Sequence, residues 1–261
     1  MHSDFQRHID ACNNAILPGR RLPLAIGADV VGFVTPEFAA ELRAFAGVAV
    51  NAEAVTLADA AVLPHVAQIL AARGLYRFRR EAFDVRARPG GAVLTTIDRG
   101  ALPAFGVMAE GVHVNGLVRR ADGLHLWVAR RAANKPLDPG KFDHITAGGI
   151  SAGMGPMDTL IKEAAEEAAI PADIAATAVK VSEISYAMDR PEGLRRDLLH
   201  CYDLELPESF IPGAADGEVE SFELWPIARA VETVRASEDF KFNVNLVLID
   251  LFKRLGLLPE A

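Results

Sequence analysis

Three glutamates follow a glycine-rich stretch in the segment AGGISAGMGPMDTLIKEAAEEAAI, residues 147–170. They are Glu163, Glu166 and Glu167. Residues three and four positions apart share a face of a helix, so a helix here would point the three carboxylates the same way. Like charges at that spacing repel by about 0.2–0.5 kcal/mol per pair. A divalent cation would turn this repulsion into binding, because Mg²⁺ prefers such oxygen ligands combined with substrate phosphates.

Four glycines precede the acidic residues, at positions 148, 149, 153 and 155. Glycine adopts backbone conformations that other residues cannot, and its missing side chain lets a ligand come close to the main chain. The acidic string alone is also typical of a solvated helix face, because short clusters of charge usually lie on the surface. Solubility does not explain the glycines, so the two features together favour a metal-binding loop and helix.

The spacing of these residues resembles the Nudix box, G-x5-E-x7-R-E-U-x-E-E-x-G-U, in which U is a bulky aliphatic residue. The matching positions run from Gly148 to Ile170. The resemblance implies a loop-helix-loop that binds Mg²⁺ or Mn²⁺ and hydrolyses a diphosphate linked to another group. It implies catalytic roles for Glu166 and Glu167. The implied metal ligands are Ala147, Glu163, Glu166 and Glu167, and the implied substrate contacts are Gly148, Gly149 and Lys162.

Four positions depart from the box. Lys162 replaces the arginine and keeps a cation without the planar guanidinium, whereas Ala164 and Ala169 alter packing and helix termination. Met154 stands where the first glutamate belongs, which removes a carboxylate and its hydrogen bonds. These departures leave two functions open, an active diphosphate hydrolase and a Nudix-like protein that binds diphosphates or regulates. A third, an isomerase related to isopentenyl diphosphate isomerase, lacks a cysteine and glutamate pair in a matching context.

A longer stretch resembles one Nudix subfamily, related to the C-terminal part of fungal thiamine pyrophosphokinase and to certain plant chloroplast Nudix hydrolases. The resemblance runs from about residue 10 to 255, through pieces such as GVHVNG, LWVARR, YDLELP and DGEVESF. Members of that subfamily carry an α/β domain before the Nudix domain. The resemblance therefore implies a substrate of the nucleoside- or thiamine-diphosphate type.

Nudix enzymes usually take a general base from a glutamate outside the box. Glu218 is the first choice and Glu220 the second, with Asp216 behind them. Alternation along a strand would place both glutamates on one face, although acids are also common on a solvent-facing edge strand.

Three basic residues before the box are candidates for binding phosphates, and for each of them surface solubility is the alternative role. They are Arg130, Arg131 and Lys135.

Two further residues before the box, His113 and Asn115, share a strand face and are candidates for substrate contact, with a structural role as the simpler alternative.

Short helices and strands are predicted in the N-terminal part of the chain. Strand-like AIGADVVGFV precedes a helix with Thr35 as N-cap and Gly47 as stop. A second helix with a kink at Pro64, ending at Gly74, and a hairpin about Pro-Gly-Gly follow.

From residue 105 the pattern indicates a hairpin about Asp122-Gly123, the box helix at 156–169 and three further strands, VSEISYAM, LHCYDLELP and EVESFELW. Two helices close the chain. The fold class expected is α/β (α+β), a Nudix α/β/α sandwich with a mixed sheet, preceded by a small α/β domain. The expected domains are residues 1–104 and 105–261. The first domain is left with two roles to test, shaping a substrate pocket or forming a homodimer contact.

Charge and composition limit the partners. A formal net charge of −8 and a pI near 5.4 argue against a nucleic acid duplex, which usually needs a basic face. Two cysteines are too few for a disulfide framework, and no long apolar segment indicates a membrane span. The expectation is a cytoplasmic protein whose partner is a small-molecule diphosphate bound with Mg²⁺ or Mn²⁺.

Overall fold

The computed structural model describes residues 2–214 and 217–258. Near its start, a small sheet with strand order β2-β1-β4-β3 packs against two helices. Its strands are antiparallel except for the parallel pair β1 and β4, and a separate hairpin follows. The elements are β1 (Leu22–Ile26), β2 (Asp29–Val34), α2 (Pro36–Leu42), β3 (Val48–Val50), β4 (Val55–Leu57), α3 (Val62–Ala72), and the hairpin strands β5 (Ala82–Val85) and β6 (Thr95–Asp98).

Local signals explain most of these boundaries. Thr35 Oγ1 accepts a hydrogen bond from the Phe38 amide at 3.2 Å, which confirms the predicted N-cap of α2. Pro64 is the third residue of α3, where an amide has no intrahelical partner, so the proline falls in the first turn and not at a kink inside the helix. The single strand predicted over AIGADVVGFV is wrong. It is two strands, β1 and β2, turning at Gly27, whose φ of 60° favours glycine.

The first helix, α1 (His2–Cys12), was not predicted, and it packs against the closing helices of the chain. His8 Nε2 lies 2.8 Å from the Val234 carbonyl oxygen. The Arg7 guanidinium donates to the carbonyls of Val234 and Ser237 at 3.1 and 3.0 Å. The chain therefore begins on the C-terminal half, then crosses to the small sheet. A domain boundary at residue 104 stays a prediction.

The second half is built on a larger mixed sheet with strand order β11-β12-β7-β8-β13. β12 runs parallel to β7 and the other pairs are antiparallel, with β10 beside β7 and β9 beside β8. The elements are α4 (Leu102–Phe105), β7 (Met108–Arg120), β8 (Gly123–Arg131), β9 (Phe142–Asp143), β10 (Thr146–Gly149), α5 (Pro156–Ala168), α6 (Ala172–Ala175), β11 (Val179–Arg190), β12 (Gly193–Glu205), β13 (Val219–Pro226), α7 (Ile227–Ala236) and α8 (Phe242–Arg254).

Alternation along β8 shows how helices cover both faces of this sheet. Leu126 and Val128 belong to the core packed against α7 and α8, whereas Trp127 between them belongs to the core packed against α5. This α/β/α arrangement with a mixed sheet confirms the predicted fold class. The predicted box helix is confirmed as α5. No helix within the described ranges is long and apolar enough to cross a membrane.

Candidate functional site

Helix α5 presents its three glutamates in two directions. Glu167 is 9% exposed and accepts a hydrogen bond from the Ala147 amide of β10 at 2.9 Å. The Glu163 side chain is 19% exposed, while that of Glu166 is 50% exposed and pairs with Lys162 at 2.6 Å. A residue four positions on lies about 40° from the first around the helix, and one three positions on lies about 60° the other way. Glu163 and Glu167 therefore face β10 together, and Glu166 faces outward.

Strand β10 passes close to this face of α5 at a glycine. A Cβ atom added to Gly148 would lie 2.4 Å from Cγ and Cδ of Glu163, closer than real Cβ contacts. A Cβ atom added to Gly149 would lie 2.6 Å from the ring of Phe83, which belongs to β5 in the N-terminal half. The glycine pair therefore allows the backbone to pass between the Glu163 carboxylate on one side and the small hairpin on the other.

Burial makes the two inward carboxylates unusual acids. It raises the pKa of Glu167 to about 8, although the Ala147 amide acts in the opposite direction. Burial also raises the pKa of Glu163, against the pull of the neighbouring Lys162 ammonium. A buried carboxylate and a partly buried one beside a glycine strand provide the oxygen donors that Mg²⁺ or Mn²⁺ prefers. The residues that would hold such an ion are Glu163, Glu167 and the backbone of Ala147, with Glu166 at the outer edge.

Glu218, just before β13, belongs to the same electrostatic cluster. Its negative charge contributes to the raised pKa of both Glu163 and Glu167. Glu218 itself pairs with Lys135, and although burial acts to raise the pKa of this carboxyl, Lys135 lowers it below its usual range. The structure thus brings together three of the predicted residues, Glu163, Glu167 and Glu218, and places Lys135 beside them.

Glu220 does not share the geometry that alternation predicted. β13 begins at Val219, and its register against β8 shifts between Val219 and Ser221, so Glu220 stands at a bulge and is exposed. A bulge inserts one extra residue and breaks the two-residue alternation. Asp216 lies outside the described residues.

The two predicted arginines are held by protein groups beside β9. The Arg130 guanidinium lies over the Phe142 ring at 4.6 Å and donates to the Gly140 carbonyl at 2.9 Å. Arg131 is largely buried, pairs with Asp143 at 2.6 Å and donates to the Leu137 carbonyl at 2.9 Å. These contacts hold the loop between β8 and β9, and neither arginine is among the residues that line the cavity beside the glycine strand.

A cavity of about 140 Å³ does adjoin the glycine strand, and four other cations line it. Ala147, Gly148 and Gly149 form part of its wall. The cations come from separate segments, the turn after β6, strand β12 and the start of α8. None of the four was predicted from the sequence, because no motif or spacing links residues that only the folded chain brings together. They are Arg99, Arg195, Arg196 and Lys241.

His113 and Asn115 have different surroundings. His113 pairs in register with Ala147 across β7 and β10 and also lines the cavity. Its pKa lies well below the ordinary value, chiefly because it is buried, which keeps the ring neutral. The Asn115 side chain instead donates to Asp203 at 2.8 Å, a contact within the sheet.

Among the described residues, one group of three side chains has atoms close enough to share a metal: His113, Asp143 and His144. Asp143 already pairs with Arg131 at 2.6 Å and with Lys241 at 3.6 Å. Burial opposes ionisation of Asp143, but Lys241 and Arg131 prevail and lower its pKa. The two histidines approach each other at 3.0 Å between their Nδ1 atoms. An added cation would compete with two that already neutralise Asp143, so these contacts favour a structural ion-pair network beneath the site.

Comparison with known proteins gives two family matches. Residues 110–245 match the NUDIX domain, and residues 4–109 match a Domain of unknown function (DUF4743). Nudix hydrolase 24, chloroplastic, of Arabidopsis thaliana is 35% identical over 271 residues, covering 98% of this chain and 74% of that protein. Nudix hydrolase 20, chloroplastic, of the same organism is 34% identical over 278 residues, with the same coverage. A crystal structure of a Deinococcus radiodurans protein has a TM-score of 0.48 at 20% identity, covering 67% of this chain and 98% of that one.

Proposed function

Because this chain belongs to the Nudix hydrolase family, we propose that it hydrolyses the diphosphate linkage of a nucleoside- or thiamine-diphosphate-type small molecule, with Mg²⁺ or Mn²⁺ as cofactor. Hydrolysis of phosphorus anhydrides is the activity of the family. The observation that carries the finer proposal is that the buried Glu167 and the partly buried Glu163 lie on one side of a glycine strand that also lines a cavity with cations in its wall.

The residues of the site divide into three roles. Glu163, Glu167 and the Ala147 backbone would hold the cation, which when bound neutralises diphosphate oxygens and lowers the pKa of water. Glu218 is ionised at neutral pH, since Lys135 lowers its pKa, so it can accept the proton of an attacking water. Among the cavity cations, the exposed Arg99 would bind the phosphate oxygens that lie away from the metal. Lys241 is held by Asp143 instead.

The space around the site suits a small molecule. A second cavity of about 400 Å³ adjoins the 140 Å³ cavity, and Phe83 and Glu110 line both. The wall of that second cavity is part apolar, from Phe83, Ile150 and Leu198, and part charged. The charged side chains are Asp84, Arg86, Glu110 and Glu183. We assign the organic part of the substrate to this larger cavity, with its diphosphate directed to the glycine strand.

A panel of thiamine diphosphates, dinucleotides and nucleotide sugars tests the proposal. Purified protein with Mg²⁺ or Mn²⁺ is offered each compound, and phosphate is measured after phosphatase treatment. Turnover that stops in chelator and in Glu167→Gln supports the hydrolase. The second candidate, a diphosphate-binding or regulatory protein, is favoured by Met154 in the position of the box glutamate. Calorimetric binding of a panel compound without turnover would establish that candidate instead.

A further inference from the structure

Strand β5 of the N-terminal half holds the glycine loop that precedes α5. The Ala152 amide donates to the Ala82 carbonyl at 2.7 Å, a backbone bond between the two segments. The next amide, of Gly153, donates to the Asp84 carboxylate at 3.4 Å. Ser151 Oγ donates to Glu81 at 3.4 Å. Three successive loop residues are therefore bonded to β5 or to Glu81 just before it, a segment that lies outside the NUDIX domain match.

A glycine loop needs such support. Glycine loses more conformational freedom on ordering than any other residue, so a loop with several glycines is costly to hold in one shape. Gly153 has a φ of 79°, in the region that favours glycine. At the next position the Met154 amide donates to the Ser151 carbonyl at 3.1 Å, whereas its apolar side chain packs against the core that includes α5 and adds no polar contact to the loop.

Asp84 contacts the loop one residue before position 154, through the Gly153 amide. Asp84 and Met154 line the same cavity of about 400 Å³, together with Gly155 and Pro156 at the start of α5. Asp84 is held there by Arg86, whose guanidinium lies 2.9 Å from it. The cavity beside the box loop thus contains a negative charge, supplied by the N-terminal half.

We propose that Asp84 is a positioning residue for the box loop, supplying from β5 the carboxylate that position 154 lacks. The proposal rests on the proposed hydrolase function. It gives the N-terminal half a definite part in the active site, since Gly148–Gly155 is then ordered for metal and diphosphate by a strand outside the box.

Three variants test this assignment by turnover of a substrate that the panel identifies. Asp84→Ala is expected to lower kcat about tenfold and to raise the Mg²⁺ concentration needed for half-maximal rate, with a smaller effect on KM, because loop placement governs alignment. Asp84→Asn keeps an acceptor and should fall between. Adding Met154→Glu to Asp84→Ala should restore at least half of the activity, since a carboxylate returns to the same cavity. Unchanged kcat in Asp84→Ala, or a folded double variant that recovers nothing, would overturn the proposal.

Asp29→Ala is the matched control, since Asp29 is an exposed aspartate at the start of β2 in the same half. Asp29→Ala should need the same Mg²⁺ concentration for half-maximal rate as the unmodified chain. All variants are compared at temperatures at which each is measured to be folded. Hydrogen–deuterium exchange separates this proposal from the hydrolase proposal. Peptides covering residues 148–157 should exchange faster in Asp84→Ala than in Asp29→Ala, even if no compound is hydrolysed. Equal exchange would overturn the positioning role, whereas absent turnover alone would count against the function.

Discussion

Replacing Glu167 with glutamine should stabilise the metal-free protein at alkaline pH while abolishing Mg²⁺-dependent hydrolysis. The folded chain raises the pKa of this carboxyl from 4.5 to about 8 because it is buried. Between those values the folded state keeps a proton that the unfolded chain releases, so stability falls as pH rises through this window. The loss is absent below about pH 4.5 and complete above about pH 8.

The size of the effect follows from the same two values. The difference between 4.5 and about 8 corresponds to roughly 5 kcal/mol at full ionisation, at about 1.4 kcal/mol per pH unit. At pH 8 itself the loss is about 4 kcal/mol. Glutamine carries no charge and keeps an oxygen that can accept the Ala147 amide bond. With about 2–4 °C per kcal/mol for a chain of this size, Glu167→Gln should melt on the order of 10 °C higher at pH 8.

Thermal unfolding in chelator, followed from pH 5 to pH 8, measures this difference directly. The two proteins should unfold together near pH 5 and separate progressively as pH rises. Addition of Mg²⁺ should then raise the Tm of the unmodified chain and leave that of the variant nearly unchanged. Glu166→Gln is the control, since it makes the same exchange one residue earlier on the exposed side of α5. A constant separation across pH, or an equal one in Glu166→Gln, would refute the reasoning.

The remaining predictions concern the base, the cavity and the end of the box helix. Glu218→Gln should lower kcat by about 10²–10⁴-fold, as expected for loss of a general base. Glu220→Gln, at the bulge, should change kcat by less than about threefold, and steady-state kinetics measures both values. Arg99→Ala should raise KM about three- to tenfold, because it removes a proposed phosphate contact in the cavity lining. The exposed Arg88→Ala is the control and should change KM little, and equal KM values for the two variants would exclude that contact. Ala169 has a φ of 53°, a left-handed conformation that is strained for alanine but not for glycine. Ala169→Gly should therefore raise the free energy of unfolding by about 1 kcal/mol, measured by urea denaturation. A lower urea midpoint in the variant would count against strain at this position.

The sequence predicted those parts of the fold that depend on residues close together in the chain, such as helix caps, turns and amphipathic helices. Thr35 caps α2 through its own side chain. The predicted β7–β8 hairpin also forms, with its turn at Ala121-Asp122, one residue earlier than predicted, and with Gly123 as the first residue of β8 at a φ of 126°. The helix α5 and its acidic face belong to the same class, because amphipathic spacing and Pro156 at the first helical position are properties of one segment. For these elements, the interactions that decide the structure lie within about ten residues of one another.

Non-local pairing decided the features that were not predicted. The bulge that displaces Glu220 exists only in the pairing of β13 with β8, which joins segments far apart in the chain. The cavity cations, among them Arg99 and Lys241, meet only when the turn after β6 and the start of α8 are folded onto the larger sheet. Glu166 shows a finer limit, since spacing predicted one shared face and the position of β10 selects only Glu163 and Glu167.

Anomalous scattering from a crystal soaked in Mn²⁺ tests the proposed metal site most directly. A peak within about 2.5 Å of carboxylate oxygens of Glu163 and Glu167, beside Ala147, is the predicted result, and it should be absent in Glu167→Gln. A peak among His113, Asp143 and His144 instead, or no peak between α5 and β10, would contradict the assignment of the ion to the glycine strand and the two inward glutamates.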